Sequence, residues 1–111
     1  MSIAAPSTEV FAALADPTRW RLLETLAGRG EASATTLAGD MPVSRPAVIK
    51  HLTVLDRAGL VARERVGREV RFAVRTEPLD ATARWMASLA SEWDARLAAL
   101  KRLAEAEQAE R

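Results

Sequence analysis

Apolar residues in the first part of the chain recur at spacings of three and four, the spacing at which side chains share one face of a helix. The pattern predicts four short helices, each with one apolar face. Their apolar positions are Val10, Phe11 and Leu14 in the first helix, Leu22, Leu23 and Leu26 in the second, Leu37 and Ala38 in the third, and Val48, Leu52 and Leu55 in the fourth. Four such faces can enclose one shared core.

Residues that favour helix boundaries flank these segments. Asp16, Ser33 and Ser44 can cap the N-termini of the second, third and fourth helices. Pro17 suits a first helical position, because it has no N–H to leave unpaired. We expect the first helix over residues 8–15. The other three helices are predicted to end at Gly28 and Gly30, at 39–42 and at 58–59.

Residues 60–66 and 69–74 alternate between apolar and polar side chains on either side of a glycine, which predicts a β-hairpin. The register of the hairpin has two solutions. A two-residue loop places Arg63 and Arg65 on the face of Phe72, whereas a three-residue loop places both arginines on the opposite face. We expect the three-residue loop, because it separates the charged side chains from the apolar ones.

After Glu77 and Pro78, the apolar spacing predicts one long helix over 79–109. A helix of this length exceeds what so small a domain needs for its own core, so we expect it to pack against a second copy of the chain. The predicted dimer-interface residues are Val10, Phe11, Met86, Leu89, Trp93, Leu97 and Leu100. Two alternatives stay open: the stripe folds back on its own domain, or its tryptophans line an effector pocket.

Composition narrows the class of protein. The 111 residues are 49% hydrophobic and 28% charged, which is typical of one globular domain, here 1–111. Without cysteine the chain has no disulfide and no thiolate metal ligand. No apolar run is long enough for a membrane helix, and the first residues do not form a signal peptide, so we expect a cytoplasmic protein without a membrane partner.

The sequence lacks the motifs of common enzymes. It has no Gly-x-Ser-x-Gly sequence and no glycine-rich phosphate loop, and its single histidine, His51, has no nucleophile beside it. The pairs of acidic residues fall on predicted solvated helix faces. We therefore expect a binding protein and no enzyme.

Positive charge is concentrated between Ser44 and Arg75. This segment holds eight cations and three acids, a net charge of +5 in a chain whose total is +1. Such a segment is typical of a surface that binds a polyanion, and also of an arginine-rich surface that is only solvated. A winged-helix module that binds only proteins and no DNA, the other class of function considered, would not need this basic segment.

The order of the elements favours DNA as the polyanion. A short helix, a break, a capped helix and a basic hairpin together predict a winged helix-turn-helix, a mainly α fold with a β-hairpin wing and a long C-terminal helix. An α-helix fits the major groove of DNA, which is about 12 Å wide. The predicted DNA contacts are Ser44, Arg45, Lys50 and His51 on the fourth helix and Arg65 and Arg68 in the hairpin, with Arg71 as a further candidate. The alternatives are that Ser44 is only a cap and that His51 is a half-buried core residue.

Five stretches of the sequence, in this order, match a known family. They are Leu14-Ala15-Asp16-Pro17-Thr18-Arg19, Ser44-Arg45-Pro46-Ala47-Val48, His51-Leu52, Leu55-Asp56-Arg57-Ala58-Gly59-Leu60-Val61 and Gly67-Arg68. Together they resemble the winged-helix core of the ArsR-type repressors, over residues 10–75. The resemblance implies a winged-helix core over 8–75, a homodimer and a repressor that binds an operator. It also places Ser44, Arg45, Ala47, Lys50 and His51 at recognition-helix positions, among which Ile49 replaces a serine common in the family.

The metal-sensing members of that family differ from this chain. Their third helix carries a Cys-x-Cys-type pair or their last helix carries histidines and acids, whereas residues 34–40 hold no thiol and His51 is the single histidine. A zinc site needs three or four ligands, so we expect no metal and no cofactor. The sequence is similar instead to members whose last helix begins with Pro-Leu, here Pro78-Leu79, and carries repeated tryptophans, here Trp85 and Trp93.

Overall fold

The computed structural model describes residues 4–110, so residues 1–3 and 111, the ends of the predicted domain, lie outside the described part. The elements in chain order are α1 (Thr8–Leu14), α2 (Pro17–Arg29), β1 (Ala32–Ser33), α3 (Ala34–Asp40), α4 (Arg45–Arg57), β2 (Val61–Val66), β3 (Glu69–Val74) and α5 (Thr76–Ala109). The first four helices and the sheet form the winged-helix core, from which α5 extends. The predicted fold class, mainly α with a wing and a long C-terminal helix, is confirmed.

The predicted N-caps are confirmed. Asp16 Oδ1 accepts hydrogen bonds from the backbone N–H groups of Thr18 at 2.8 Å and of Arg19 at 3.3 Å. Ser33 and Ser44 cap α3 and α4 through their hydroxyl oxygens. In each case the side-chain oxygen pairs with an N–H that has no partner within its own helix.

Several helix boundaries differ from the prediction. Helix α1 ends at Leu14 rather than at residue 15, and α3 continues to Asp40, although its predicted break begins at residue 39. Gly28 does not end α2, which continues to Arg29 and has Gly30 as its C-cap with φ +84°. Helix α5 begins at Thr76 rather than at residue 79. Pro78 is tolerated in its first turn, because the N–H groups there have no acceptor within the helix.

The core lies between α2, α3, α4 and the base of the wing. Its largest fully buried side chains are Leu22, Leu26, Leu37, Val48, Leu52, Leu55, Leu60 and Val61. All the apolar positions predicted for α2 and α4 are buried. On α1 the structure separates two predicted neighbours, because Val10 is buried whereas Phe11 is 39% exposed.

A third strand, β1, was not predicted. It pairs antiparallel with β3, with Ala32 opposite Phe72 and Ser33 opposite Arg71, so the strand order is β1-β3-β2. Two residues are too few to show the alternation by which strands are recognised in a sequence. The pairing ties the base of the wing to the segment between α2 and α3.

The predicted register of the wing is wrong. Val66 pairs with Glu69, which leaves a two-residue loop, and Arg63 lies opposite Phe72. Gly67 has φ +64°, as a type II′ turn requires of its first central residue. All of β2 after its first residue is exposed, so the strand has no buried face that would favour a different register. The turn therefore determines the register.

Helix α5 leaves the core soon after it begins. Its 34 residues span about 51 Å, and Thr82 is the one buried residue within it. Trp85 contacts Phe11 edge-to-face, with the ring centroids 5.6 Å apart. The radius of gyration is 20.5 Å, well above the value of about 13 Å expected for a compact domain of this size.

The apolar stripe of α5 is exposed in the single chain. Met86, Leu89, Trp93, Leu97, Leu100 and Leu103 are each between 40% and 65% exposed. The stripe does not fold back on its own domain, which removes that alternative. Despite the length of α5, neither this helix nor any other described helix is long and apolar enough to cross a membrane.

The charge on Asp16 predicts a pH dependence of stability. Partial burial raises the pKa of this carboxyl, but hydrogen bonds from the N–H groups of Arg19 and Thr18 lower it more, so its pKa lies below the ordinary value of 3.8. The carboxylate therefore stabilises the folded state fully above the unfolded-state pKa. This contribution is lost as the pH falls through the folded-state pKa.

We expect Asp16→Asn, which keeps a capping oxygen but carries no charge, to unfold at a lower urea concentration than the wild type at neutral pH. The difference should shrink between about pH 5 and about pH 2, where the wild-type carboxylate becomes protonated. Urea unfolding followed by circular dichroism at several pH values measures it. A difference that stays constant over this range contradicts the lowered pKa.

Candidate nucleic-acid interface

Helices α3 and α4 form the helix-turn-helix. Between them, Met41 is buried in the core and Val43 packs against it half-buried. Ser44 then caps α4, its Oγ accepting a hydrogen bond from the Ala47 N–H at 3.3 Å. The connection is short and anchored in the core, so it fixes α4 relative to α3 and leaves one side of α4 open to solvent.

The buried face of α4 determines where its polar side chains point. Val48, Leu52 and Leu55 are buried, and successive residues are about 100° apart around a helix. Lys50 therefore points away from the core, and it is exposed. Ala47 lies at the edge of the same surface and is half-buried.

Arg45, the first residue of α4, is held by α3. Its Nε donates a hydrogen bond to Thr35 Oγ1 at 3.0 Å. Its terminal nitrogens make no hydrogen bond or ion pair within residues 4–110. The bond orients the guanidinium while leaving its outer edge free. Thr35 was not predicted as part of the site, because no local pattern links it to Arg45.

A cavity of about 350 Å³ lies between the start of α3, the helix α4 and the wing. Its lining includes the cations Arg45, Arg63 and Arg68, the hydroxyl residues Ser33, Thr35 and Thr53, and the apolar residues Leu52 and Phe72. The two-residue loop brings Arg63 here, because it places this arginine on the face of Phe72. Asp56 also lines the cavity and lies 4.0 Å from Arg63, so part of the positive charge is balanced.

His51 lies on the opposite flank of α4, towards α1 and α2. It is half-buried, and its Nδ1 is 3.3 Å from Arg19 Nη1. The side chain thus meets the description of a half-buried histidine, which was one of the two alternatives. Because Nδ1 is next to Arg19, the predicted contact of His51 with DNA would have to be made by the other ring nitrogen, Nε2.

The wing arginines differ in their ion pairs. Arg71 Nη1 lies 3.0 Å from Glu31 Oε1, and its Nε lies 3.3 Å from Glu69 Oε2. Hydrogen bonds to these two carboxylates raise the pKa of Arg71. Arg65 and Arg68 are exposed and form no ion pair with any described residue. Arg65 and Arg68 are therefore the free cations of the wing, and Arg71 is neutralised.

The free cations lie along α4 and the wing. Of the eight cations in residues 44–75, those without an ion pair inside residues 4–110 are Arg45, Lys50, Arg57, Arg65 and Arg68. We call these five residues, together with Ser44, Ala47 and His51, the α4–wing surface. Residues 4–110, this surface included, contain no group of three or more His, Cys, Asp or Glu side chains that could hold a metal ion.

Comparison with known proteins identifies the family. The helix-turn-helix domain family matches residues 14–64. The ArsR-like transcriptional regulator from Rhodococcus sp. RHA1 is 48% identical, with a TM-score of 0.83 over 88% of this chain and 89% of that one. The chain belongs to the ArsR family of helix-turn-helix transcriptional regulators. The transcriptional repressor SdpR of Bacillus subtilis, also similar, is 31% identical over 77% of this chain and 93% of its own.

Other members support the same conclusion. The arsenic resistance transcriptional regulator ArsR1 of Pseudomonas putida is 31% identical over 76% of this chain and 68% of its own. The predicted ArsR-type resemblance is therefore confirmed, for a member that has no cysteine. This ArsR-family protein is a DNA-binding regulator of transcription, and its relatives show that it belongs to a class of regulators and not of enzymes.

The turn at Gly67 predicts how the wing responds to substitution. No heavy atom lies within 4 Å of a Cβ built at this glycine, so the penalty for a side chain there is conformational rather than steric. A positive φ at this position of a type II′ turn costs an L-residue about 1–3 kcal/mol, and asparagine tolerates it better than alanine. We expect Gly67→Ala to speed amide hydrogen exchange in β2 and β3, with Gly67→Asn intermediate.

Gly39→Ala is the matched control, because Gly39 lies in α3 and has open space around it. This substitution should leave wing exchange unchanged and stabilise α3 by up to about 1 kcal/mol. Exchange measured by mass spectrometry or NMR distinguishes the variants. Wild-type exchange rates in Gly67→Ala would contradict the type II′ turn.

Proposed function

We propose that this chain is a homodimeric repressor that binds a palindromic operator through the α4–wing surface. The observation that carries the proposal is that the exposed cations without an ion pair lie on α4 and on the wing beside it. An α-helix enters the major groove of DNA, and a basic hairpin beside it reaches the backbone or the minor groove. Bound over a promoter, such a dimer blocks polymerase.

The residues of α4 take distinct parts in this proposal. Arg45 reads a base, because its free outer edge can donate two hydrogen bonds to guanine, worth about 1–3 kcal/mol of discrimination. Lys50 points into the groove and contacts a base or a phosphate. Ser44, at the N-terminus of α4, binds a phosphate oxygen beside free backbone N–H groups. Ala47 is small enough to let the helix approach the bases closely, and His51 adds a contact at the edge.

The wing supplies affinity more than specificity in this proposal. Arg65 and Arg68 contact phosphates or the minor groove from the tip of the hairpin. If each subunit neutralises about four phosphates, the logarithm of the binding constant falls with the logarithm of salt concentration at a slope of about −7 for the dimer. A binder of this kind is strongly salt-sensitive.

The stripe on α5 supports a second copy of the chain as its partner. Met86, Trp93 and Leu100 recur every seven residues, a spacing typical of paired helices. The proposed interface consists of Phe11, Met86, Leu89, Trp93, Leu97 and Leu100 as exposed contacts, with Val10 buried beneath them in the protomer core. A twofold axis would place the same stripe on both subunits and cover the apolar surface of each.

A twofold symmetric dimer would also recognise a twofold symmetric DNA site. One recognition helix reads only a few base pairs, whereas two helices held about 34–36 Å apart read two half-sites one helical turn apart. The operator in this proposal is therefore palindromic. Binding of the second half-site is intramolecular once the first is bound, so the dimer binds far more tightly than either subunit.

The role of Arg45 is tested with DNA from upstream of the gene. We expect wild-type protein to bind this DNA more tightly than random DNA, by fluorescence anisotropy at two salt concentrations. Arg45→Ala should weaken binding to the upstream DNA by about 10- to 100-fold and change random-DNA binding much less. Arg102→Ala, which removes the same charge near the far end of α5, should bind both DNAs like the wild type. Equal, weak binding of both DNAs by every variant would contradict operator recognition.

The role of the α5 stripe is tested by a charge in its centre. We expect Leu97→Glu to weaken the dimer at least about tenfold, because an unpaired carboxylate is costly to bury and the twofold axis places two of them in the interface. Ala95→Glu introduces the same charge on the opposite side of α5, where it should have little effect. Sedimentation velocity at several protein concentrations measures both. Wild-type association of Leu97→Glu, or a monomeric wild type, argues against this interface.

A further inference from the structure

Arg19, in the first turn of α2, contacts three other segments of the protein. Its Nε donates a hydrogen bond to the Ala13 carbonyl at 2.7 Å, and its Nη2 donates one to the Ala12 carbonyl at 3.0 Å. Its Nη1 lies 3.3 Å from His51 Nδ1 and 3.6 Å from Asp16 Oδ2. The side chain is 15% exposed, so the last turn of α1, the cap of α2 and the helix α4 meet around one guanidinium.

The geometry of this cluster needs an arginine. Carbonyls in the last turn of a helix lack acceptor partners within the helix, and a cation near that end is favourable. A guanidinium offers five N–H donors in a rigid plane, enough for two carbonyls of α1 and for His51 at once. The single nitrogen of a lysine at position 19 has no comparable fork. Arg19 thus fixes His51 relative to the end of α1.

The contact with Arg19 also selects one tautomer of a neutral His51 ring. An arginine side chain has only donors, so His51 Nδ1 must be the acceptor in this hydrogen bond. A neutral histidine then carries its proton on Nε2. Nε2 has no hydrogen-bond partner within residues 4–110, and no side-chain nitrogen there is both buried and unpaired. The Nε2–H group therefore reaches the surface of α4.

We propose that Arg19 is a positioning residue for DNA recognition, which holds His51 as a neutral donor whose Nε2–H bonds to an acceptor on the operator. The proposal rests on the proposed function, because it takes the α4–wing surface as the DNA-binding surface. The acceptor is an oxygen or an unprotonated ring nitrogen, either of a phosphate or of a purine edge. A neutral donor displaces no counterion, so the contribution of His51 to affinity does not depend on salt.

Two substitutions of His51 separate its two nitrogens. His51→Asn keeps an oxygen near the position of Nδ1 but has no donor at the position of Nε2, whereas His51→Gln can place an amide N–H there. We expect His51→Asn to weaken operator binding about 3- to 10-fold, the effect of one hydrogen bond, with an unchanged salt slope. His51→Gln should recover part of this loss. Lys50→Ala should instead lower the magnitude of the salt slope, by about one for each subunit contact.

A double-mutant cycle tests whether Arg19 acts through His51. Arg19→Lys should weaken operator binding in the wild-type background, and much of that loss should be absent when His51 is already Asn. Arg21→Lys is the matched control, since Arg21 is exposed on the same helix and its side chain makes no hydrogen bond or ion pair within the described part. Thermal unfolding of each variant checks that the protein used for binding is folded.

Nitrogen NMR gives a readout that a merely structural role would not change. His51 is the one histidine of the chain, so its ring resonances need no assignment by mutation. We expect the wild type above neutral pH to carry the proton on Nε2, and its Nδ1 resonance to shift in Arg19→Lys but not in Arg21→Lys. This measurement needs no DNA, so it tests the Arg19 contact separately from the proposed function.

The outcomes distinguish this proposal from the one on which it rests. Loss in His51→Asn on all DNA supports a phosphate acceptor, and loss on operator DNA alone supports a base edge. A proton on Nδ1, an unshifted Nδ1 resonance in Arg19→Lys, or wild-type binding by His51→Asn overturns the proposal while Arg45-dependent recognition stands. A wild type that does not prefer the upstream DNA overturns both.

Discussion

The burial of one face of α4 is the constraint on which the rest of the binding surface depends. Val48, Leu52 and Leu55 lie in the core, and each buried leucine contributes about 1.5–3 kcal/mol relative to an exposed one. Turning α4 by one residue, about 100°, would remove these side chains from the core and bring polar ones towards it. The rotation of the helix is therefore fixed, with Lys50 outward, Arg45 against α3 and His51 against α2. Packing in the core thus determines which groups can meet DNA.

Local features of the fold could be predicted from the sequence, and pairings between distant segments could not. The caps at Asp16 and Ser44 were found because a cap depends only on the few residues that follow it. Strand β1 was missed because its partner lies in β3, about 40 residues away, and two residues carry no period. The wing register was wrong for a different reason. The need to keep charged side chains out of the core determines the register of a strand only where one face of that strand is buried. In the wing β2 is almost wholly exposed, so the turn at Gly67 determines the register instead.

The same division applies to the candidate site. Helical spacing identified the exposed positions of α4, and charge counting identified the basic segment. Neither could show that Arg71 is neutralised by Glu31, that Thr35 holds Arg45, or that Arg19 reaches His51, because each pair joins different elements. These contacts decide which cations remain free and how their side chains are oriented. A count of charges therefore overstates the number available to DNA and says nothing of their orientation.

Helix α1 lies between the proposed dimer interface on α5 and the α4–wing surface proposed to bind DNA. Phe11 contacts Trp85 on α5, and the carbonyls of the next two residues, Ala12 and Ala13, accept hydrogen bonds from Arg19. The proposed dimer interface and His51 are thus separated by one turn of α1 and one side chain. These contacts form a continuous chain from α5 through α1 and Arg19 to His51 on α4, beside the leucine core and next to the cap at Asp16.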